Sequence, residues 1–141
     1  MAGPTQVAFR AKATAQGGRD GKVALEQGGV WFAMAIPKSM GGSGEGSTPE
    51  DLFALGYASC FNSALLFVAR AQGKDASKAK VTCDVGIGPK EGGGFALEAA
   101  LTVHIPGLAA EEAKALVEAA HQVCPYSNAT RGNMPVTLTV A

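Results

Sequence analysis

Between residues 48 and 71 the chain carries almost no charge after its first turn, and its apolar positions recur at helical spacing. Thr48 suits an N-cap, Pro49 suits the first helical position, and Asp51 completes a capping box. Glu50 and Asp51 put negative charge at the end of the helix dipole that favours it. Phe53, Tyr57, Phe61, Leu65 and Val68 fall on one face, and Gly56, Ser59, Cys60, Ser63 and Ala64 on another. A helix apolar nearly all round is a buried helix, so this segment is expected to form the core.

The flanking segments alternate with a period of two. Residues 7–15 (VAFRAKATA) set Val7, Phe9, Ala11, Ala13 and Ala15 against Arg10, Lys12 and Thr14, the pattern of a half-buried strand. The glycine turn GGRDG follows, then two short strands over residues 22–26 and 29–36, joined through Gln27-Gly28-Gly29 as an antiparallel meander. Residues 37–47 (PKSMGGSGEGS) are glycine-rich and read as a flexible loop. Gly73 and Asp75 end the helix. Residues 80–88 alternate again, Glu91-Gly92-Gly93-Gly94 makes a hairpin turn, and residues 95–105 return as a strand stopped by Pro106. Residues 109–123 form an amphipathic helix with Ala113, Leu116, Val117 and Ala120 inward. Cys124-Pro125 closes it, because the residue before proline is pushed out of helical geometry. Residues 127–133 read as polar and irregular, and 136–140 as a last strand. The order predicts one α+β domain over residues 1–141, with mostly antiparallel sheets around a long central helix.

Charge narrows the functional classes. Twelve lysines and arginines balance twelve aspartates and glutamates, so no basic surface for nucleic acid or membrane is expected. The first ten residues have no apolar run of signal-peptide length. The central helix is long enough to cross a bilayer, but Ser59, Asn62 and Ser63 interrupt it. Three cysteines fit no disulfide framework of a secreted domain, which points to the cytoplasm.

Cys83 lies on the apolar face of an alternating strand and reads as packing. On composition alone Cys60 reads the same way. Arg19 in its glycine turn, Glu50 at the helix start, and Asn128 with Arg131 after Cys124 are polar residues that packing does not require. A zinc site is a competing possibility: His121 and Cys124 are three apart, and Cys60 with Cys83 or His104 would complete four ligands. Against it, paired cysteines two residues apart are absent, and His104 alternates away from the core. The loop 41–46 lacks the lysine and hydroxyl of a phosphate-binding loop.

Taken together, TPEDLFALGYASCF and AHQVCPYSNATRGN resemble the two cysteine motifs of the organic hydroperoxide resistance proteins, the Ohr branch of the Ohr/OsmC family. GGRDG resembles the family's arginine segment, and length and element order agree along the whole chain. Thr48, where asparagine is usual, and Met134-Pro135 are the departures. The resemblance implies an intertwined homodimer without a metal or bound cofactor, reducing organic hydroperoxides to alcohols. It implies Cys60 as the peroxidatic cysteine, Cys124 as the resolving one, Arg19 and Glu50 as the pair activating Cys60, and a dihydrolipoyl group as reductant. The broader OsmC-type peroxidases, and a non-catalytic zinc- or ligand-binding module, are the alternatives.

The chemistry explains why these residue types would be needed. A free thiol with a pKa near 8.5 is only about 3% thiolate at pH 7. Burial opposes ionisation, and a cysteine in mid-helix gains nothing from its own helix dipole. A guanidinium about 4 Å away supplies around 1 kcal/mol in water and about 4 kcal/mol at an intermediate dielectric. An arginine held close by a carboxylate is therefore the expected partner. Glu50, however, precedes Cys60 by ten residues, roughly 15 Å along a straight helix. Either the helix breaks, with Gly56 the place, or Arg19 and Glu50 reach Cys60 from a second subunit. Phe53, Phe61, Met40 and Met134 are the expected apolar walls for a fatty or aryl hydroperoxide.

Overall fold

A computed structural model describes residues 2–141, which cluster into two units divided between Pro49 and Glu50. The first holds an antiparallel meander of β1 (Ala13–Gln16), β2 (Lys22–Leu25) and β3 (Trp31–Ala33), as the alternation predicts. β1 is shorter than the predicted 7–15. Its ladder ends where Glu26 N–H bonds the Lys12 carbonyl, because β2 then enters its turn and, among the described residues, no strand pairs with 7–11. Nor is β1 half-buried: all four of its residues are exposed, and Phe9 ahead of it is 82% exposed.

The glycine-rich segment 37–47 is an ordered turn rather than a loose loop. A 3-10 turn, Lys38–Met40, is closed by Gly42 N–H on Pro37 O and Gly44 N–H on Ile36 O. Ala35 and Ser47 pair across its base. A Cβ at Gly42 would lie 2.1 Å from Ile36 O, so this close backbone approach requires glycine.

α1 (Pro49–Ala71), which belongs to the second unit from Glu50 onward, runs 23 residues without a break. It is followed by the hairpin of β4 (Lys80–Pro89) and β5 (Phe95–His104), by α2 (Ala110–Val123), by α3 (Pro125–Thr130), and by β6 (Val136–Val140). β6 adds to β5 in parallel, giving the order β4-β5-β6, so this sheet is mixed. α3 corrects the expectation of irregular chain at 127–133 over its first four residues, and 131–133 remain a turn. Pro125, which stops α2, is also well suited to the first position of a new helix.

One core occupies this unit. Tyr57, Phe61, Leu65 and Val68 of α1 meet Leu101 and Val103 of β5, with Leu116, Val117 and Ala120 of α2. Each large aliphatic side chain fully buried this way contributes about 1.5–3 kcal/mol. α1 is not covered all round: Asp51, Leu55, Ser59, Ser63 and Phe67, four apart, form an exposed line, with Leu55 60% and Phe67 65% exposed.

Candidate active site

Cys124 sits at an elbow. Its N–H still bonds Ala120 O at the end of α2, while its carbonyl accepts the Asn128 N–H that begins α3. Arg131 clamps the elbow, donating from its guanidinium to the His121 carbonyl and to Asn128 Oδ1. Asn128 and Arg131 thus have a structural task. The elbow holds Cys124 Sγ 3.6 Å from Cys60 Sγ, in the middle of α1. Both thiols are free; Cys124 is wholly buried and Cys60 partly exposed. A disulfide needs about 2.05 Å, so the sulfurs lie within a side-chain adjustment of bonding.

Burial pushes the Cys60 thiol up, the backbone N–H of Tyr126 pulls it down, and Cys124 pushes it up again, with a net upward shift. Tyr126 is the second residue of α3, so a helix start does donate to Cys60, although not that of its own helix. These neighbours alone leave Cys60 protonated at neutral pH. Between the two sulfurs, only Cys124 can donate once Cys60 ionises, adding to the Tyr126 N–H.

Around the sulfurs the sequence concealed several contributors. Phe53, Tyr57 and Tyr126 form a ring cluster with centroids 5.8–6.2 Å apart. Gly56 is no hinge; its bare backbone faces the Tyr126 ring. Buried Tyr57 bonds Ser127 Oγ at 2.8 Å and Thr130 Oγ1 at 3.2 Å, and His121 Nδ1 meets Ser127 Oγ at 2.8 Å. Burial first, and then the Arg131 charge, hold the His121 pKa below its usual value, against Glu118. The heptapeptide HQVCPYS was the available signal, with polar residues three to either side of Cys124.

Beside this cluster lies a cavity of about 550 Å³, lined among others by Phe53, Phe95, Tyr126, Met134, Lys90 and Asn133. Of the expected walls, Phe53 and Met134 line it. Phe61 does not, being buried in the core, and Met40 is an exposed residue of the first unit. Arg19 lies in the 3-10 turn Gly18–Asp20 of that first unit. Glu50 is in the first turn of α1, and because α1 is continuous, the break at Gly56 is ruled out. Cys83 pairs opposite Leu101 with its side chain against the core, and burial raises its pKa. His104 is exposed on the strand's outer face. Among the described residues no three of His, Cys, Asp and Glu are grouped to hold a metal ion.

The family of OsmC-like proteins matches residues 42–139. An organic hydroperoxide resistance protein of Xanthomonas axonopodis pv. citri is 46% identical over the full length of both chains. One from Elizabethkingia anophelis, solved with thiocyanate bound, has a TM-score of 0.92 at 48% identity, covering 97% of this chain and 99% of that one. OhrB of Bacillus subtilis has a TM-score of 0.85 at 40% identity, covering 96% and 100%. With its mixed α+β fold, the chain belongs to the OsmC-like family, in the branch of the organic hydroperoxide resistance proteins.

Proposed function

We propose that this protein is a cysteine peroxidase for organic hydroperoxides. The observation carrying this is the reduced pair at 3.6 Å, one sulfur partly exposed and the other buried behind it. The Cys60 thiolate attacks the peroxide oxygen, the O–O bond breaks, and the leaving alkoxide takes a proton to become the alcohol. Cys60 is left as a sulfenic acid. Cys124 displaces its hydroxyl as water, forming the Cys60–Cys124 disulfide, and a dithiol reduces that by exchange. A dihydrolipoyl group, the reductant that the resemblance implies, fits that role. The chemistry suits a reducing compartment such as the cytoplasm.

Because the groups around Cys60 raise its pKa on balance, a cation is needed for attack at neutral pH. Arg19, held by Glu50, is the proposed source, and its planar fork also suits stabilising the alkoxide. With α1 unbroken, Glu50 stays roughly 15 Å from its own Cys60. The pair therefore acts from a second subunit, and the exposed Leu55 and Phe67 on α1 favour such a homodimer. The cavity bounded by Phe53 and Met134 suits a fatty or aryl group.

Thiol titration before and after one equivalent of cumene hydroperoxide tests the reading. Of the three thiols, Cys60 and Cys124 should be lost together and Cys83 retained. Retention of all three, or loss of Cys83 instead, would sink it.

A further inference from the structure

Next to the two sulfurs runs a set of four side-chain hydrogen bonds whose protons can be counted. It comprises His121 Nδ1 with Ser127 Oγ at 2.8 Å, Ser127 Oγ with Tyr57 Oη at 2.8 Å, Tyr57 Oη with Thr130 Oγ1 at 3.2 Å, and Thr130 Oγ1 with the Ser127 carbonyl at 3.2 Å. The three hydroxyls supply one proton each, and four contacts need four. A carbonyl only accepts, so for all four contacts to be hydrogen bonds the Thr130 proton must go there, beside the Arg131 N–H that the same carbonyl accepts at 2.9 Å. Tyr57 must then donate to Thr130, and Ser127 to Tyr57. The fourth proton can come only from His121 Nδ1. Were His121 to carry its proton on Nε2 alone, one contact at this buried site would go without a proton: either Tyr57 with Thr130, lone pair to lone pair, or Thr130 with the Ser127 carbonyl.

This chain parallels the sulfur pair. Tyr57 lies three residues before Cys60 on α1, Ser127 three residues after Cys124, and His121 three residues before Cys124. α3 has six residues, too few to be stable alone, so its attachments decide where Cys124 stands. We propose that His121 is a positioning residue for the Cys60–Cys124 pair: its Nδ1–H starts a one-way chain through Ser127 and Tyr57 to Thr130 that locks α3, and with it Cys124, against α1. What the lock achieves rests on the peroxidase reading; the direction of the chain does not. Arg131 and Glu118 are the charged groups acting on His121. Titration occurs at Nε2, so Nδ1 donates in both charge states and the lock holds on either side of the His121 pKa.

Two measurements on the intact protein decide this. Nitrogen-15 NMR of reduced native protein near pH 7.5 should show His121 protonated at Nδ1 and bare at Nε2; the opposite tautomer overturns the proposal. Second, native protein is compared with His121→Leu, which lacks the donor, and His121→Asn, whose amide N–H stands in for Nδ1–H. Closure of the disulfide by oxidised dithiothreitol, which needs no peroxidase activity, should slow in His121→Leu by about tenfold or more, since a misplacement of about 1 Å can cost a hundredfold. His121→Asn should restore it. With excess hydroperoxide, His121→Leu should also divert Cys60 to sulfinic acid, its first oxidation slowing less than closure. Native closure rates in a folded His121→Leu, or no rescue in a folded His121→Asn, overturn the proposal. Failure of native protein to consume hydroperoxide would remove the peroxidase reading and leave the tautomer and closure results standing.

Discussion

The ring of Tyr126 lies against the bare backbone of Gly56: a Cβ there would come 2.8 Å from Tyr126 Oη and 3.1 Å from its Cε2. The same Tyr126 donates its backbone N–H to Cys60, one turn along α1. Gly56 thus lets α3 approach α1 closely enough for that bond to form. Gly56→Ala should gain about 1 kcal/mol of helix propensity and lose much of it by displacing the ring. Unfolding stability is expected to change by less than about 1 kcal/mol. Alkylation of Cys60 at pH 7 should slow, since losing the N–H removes what pulls the thiol pKa down. Unchanged alkylation would show that Tyr126 N–H does not set the reactivity.

The proposed division of labour between subunits can be read from mixed dimers. Arg19→Ala should raise the Cys60 pKa, and each unit of rise costs about tenfold in thiolate at neutral pH. A dimer pairing a Cys60→Ser subunit with an Arg19→Ala subunit should regain activity, because the surviving Cys60 faces the surviving Arg19. If the pair acted within one subunit, that hybrid would be inactive. Peroxide consumption by tagged, purified hybrids separates the outcomes.

Replacing Cys124 should leave the first oxidation intact and remove the protection that follows. In Cys124→Ser, one equivalent of alcohol is expected per Cys60, and then inactivation as the sulfenic acid is oxidised further. Mass spectrometry should find sulfinic acid on Cys60 and reduced Cys83. Loss of the first turnover would assign Cys124 a different role.

How much of this was legible in the sequence depended on whether a signal was local. The periods of α1, β4 and α2 mark them, because each buries one face and repeats its apolar residues to do so. α3 is not legible: Pro125 reads as the stop of α2, and six residues are too few to show a period. The exposed line through Leu55 and Phe67 could not be foreseen either, since periodicity shows that a face is apolar without showing what covers it. At the site, the motifs marked Cys60 and Cys124, but the tie from Tyr57 to Ser127 spans seventy residues and joins side chains common as surface groups. Asn128 and Arg131 stand out in the sequence as polar residues near a cysteine, and in the structure they clamp the elbow.

His121 also gives the fold a pH dependence whose sign can be worked out. Its pKa is lowered in the folded state by burial and then by Arg131, so folding favours the neutral imidazole. The unfolded chain, with a histidine pKa near 6.5, binds the proton more readily. Its contribution to stability is therefore fully present above about pH 6.5 and is lost as pH falls through the folded pKa below that. The other shifted groups act elsewhere. Cys60 and Cys83 are raised from thiol values, so their contributions hold through neutral pH and fall away in alkali. Asp75 is lowered by its bonds from Ser77, so its contribution is lost only in acid below about pH 4. Urea midpoints measured between pH 7.5 and 5 should thus decline through His121, and in His121→Asn that part of the decline should vanish while the Nδ1-like donor remains. Disulfide closure in native protein should meanwhile stay level over the part of this range where the thiolate fraction can be corrected for. A midpoint slope that survives in His121→Asn would mean that another group carries the titration.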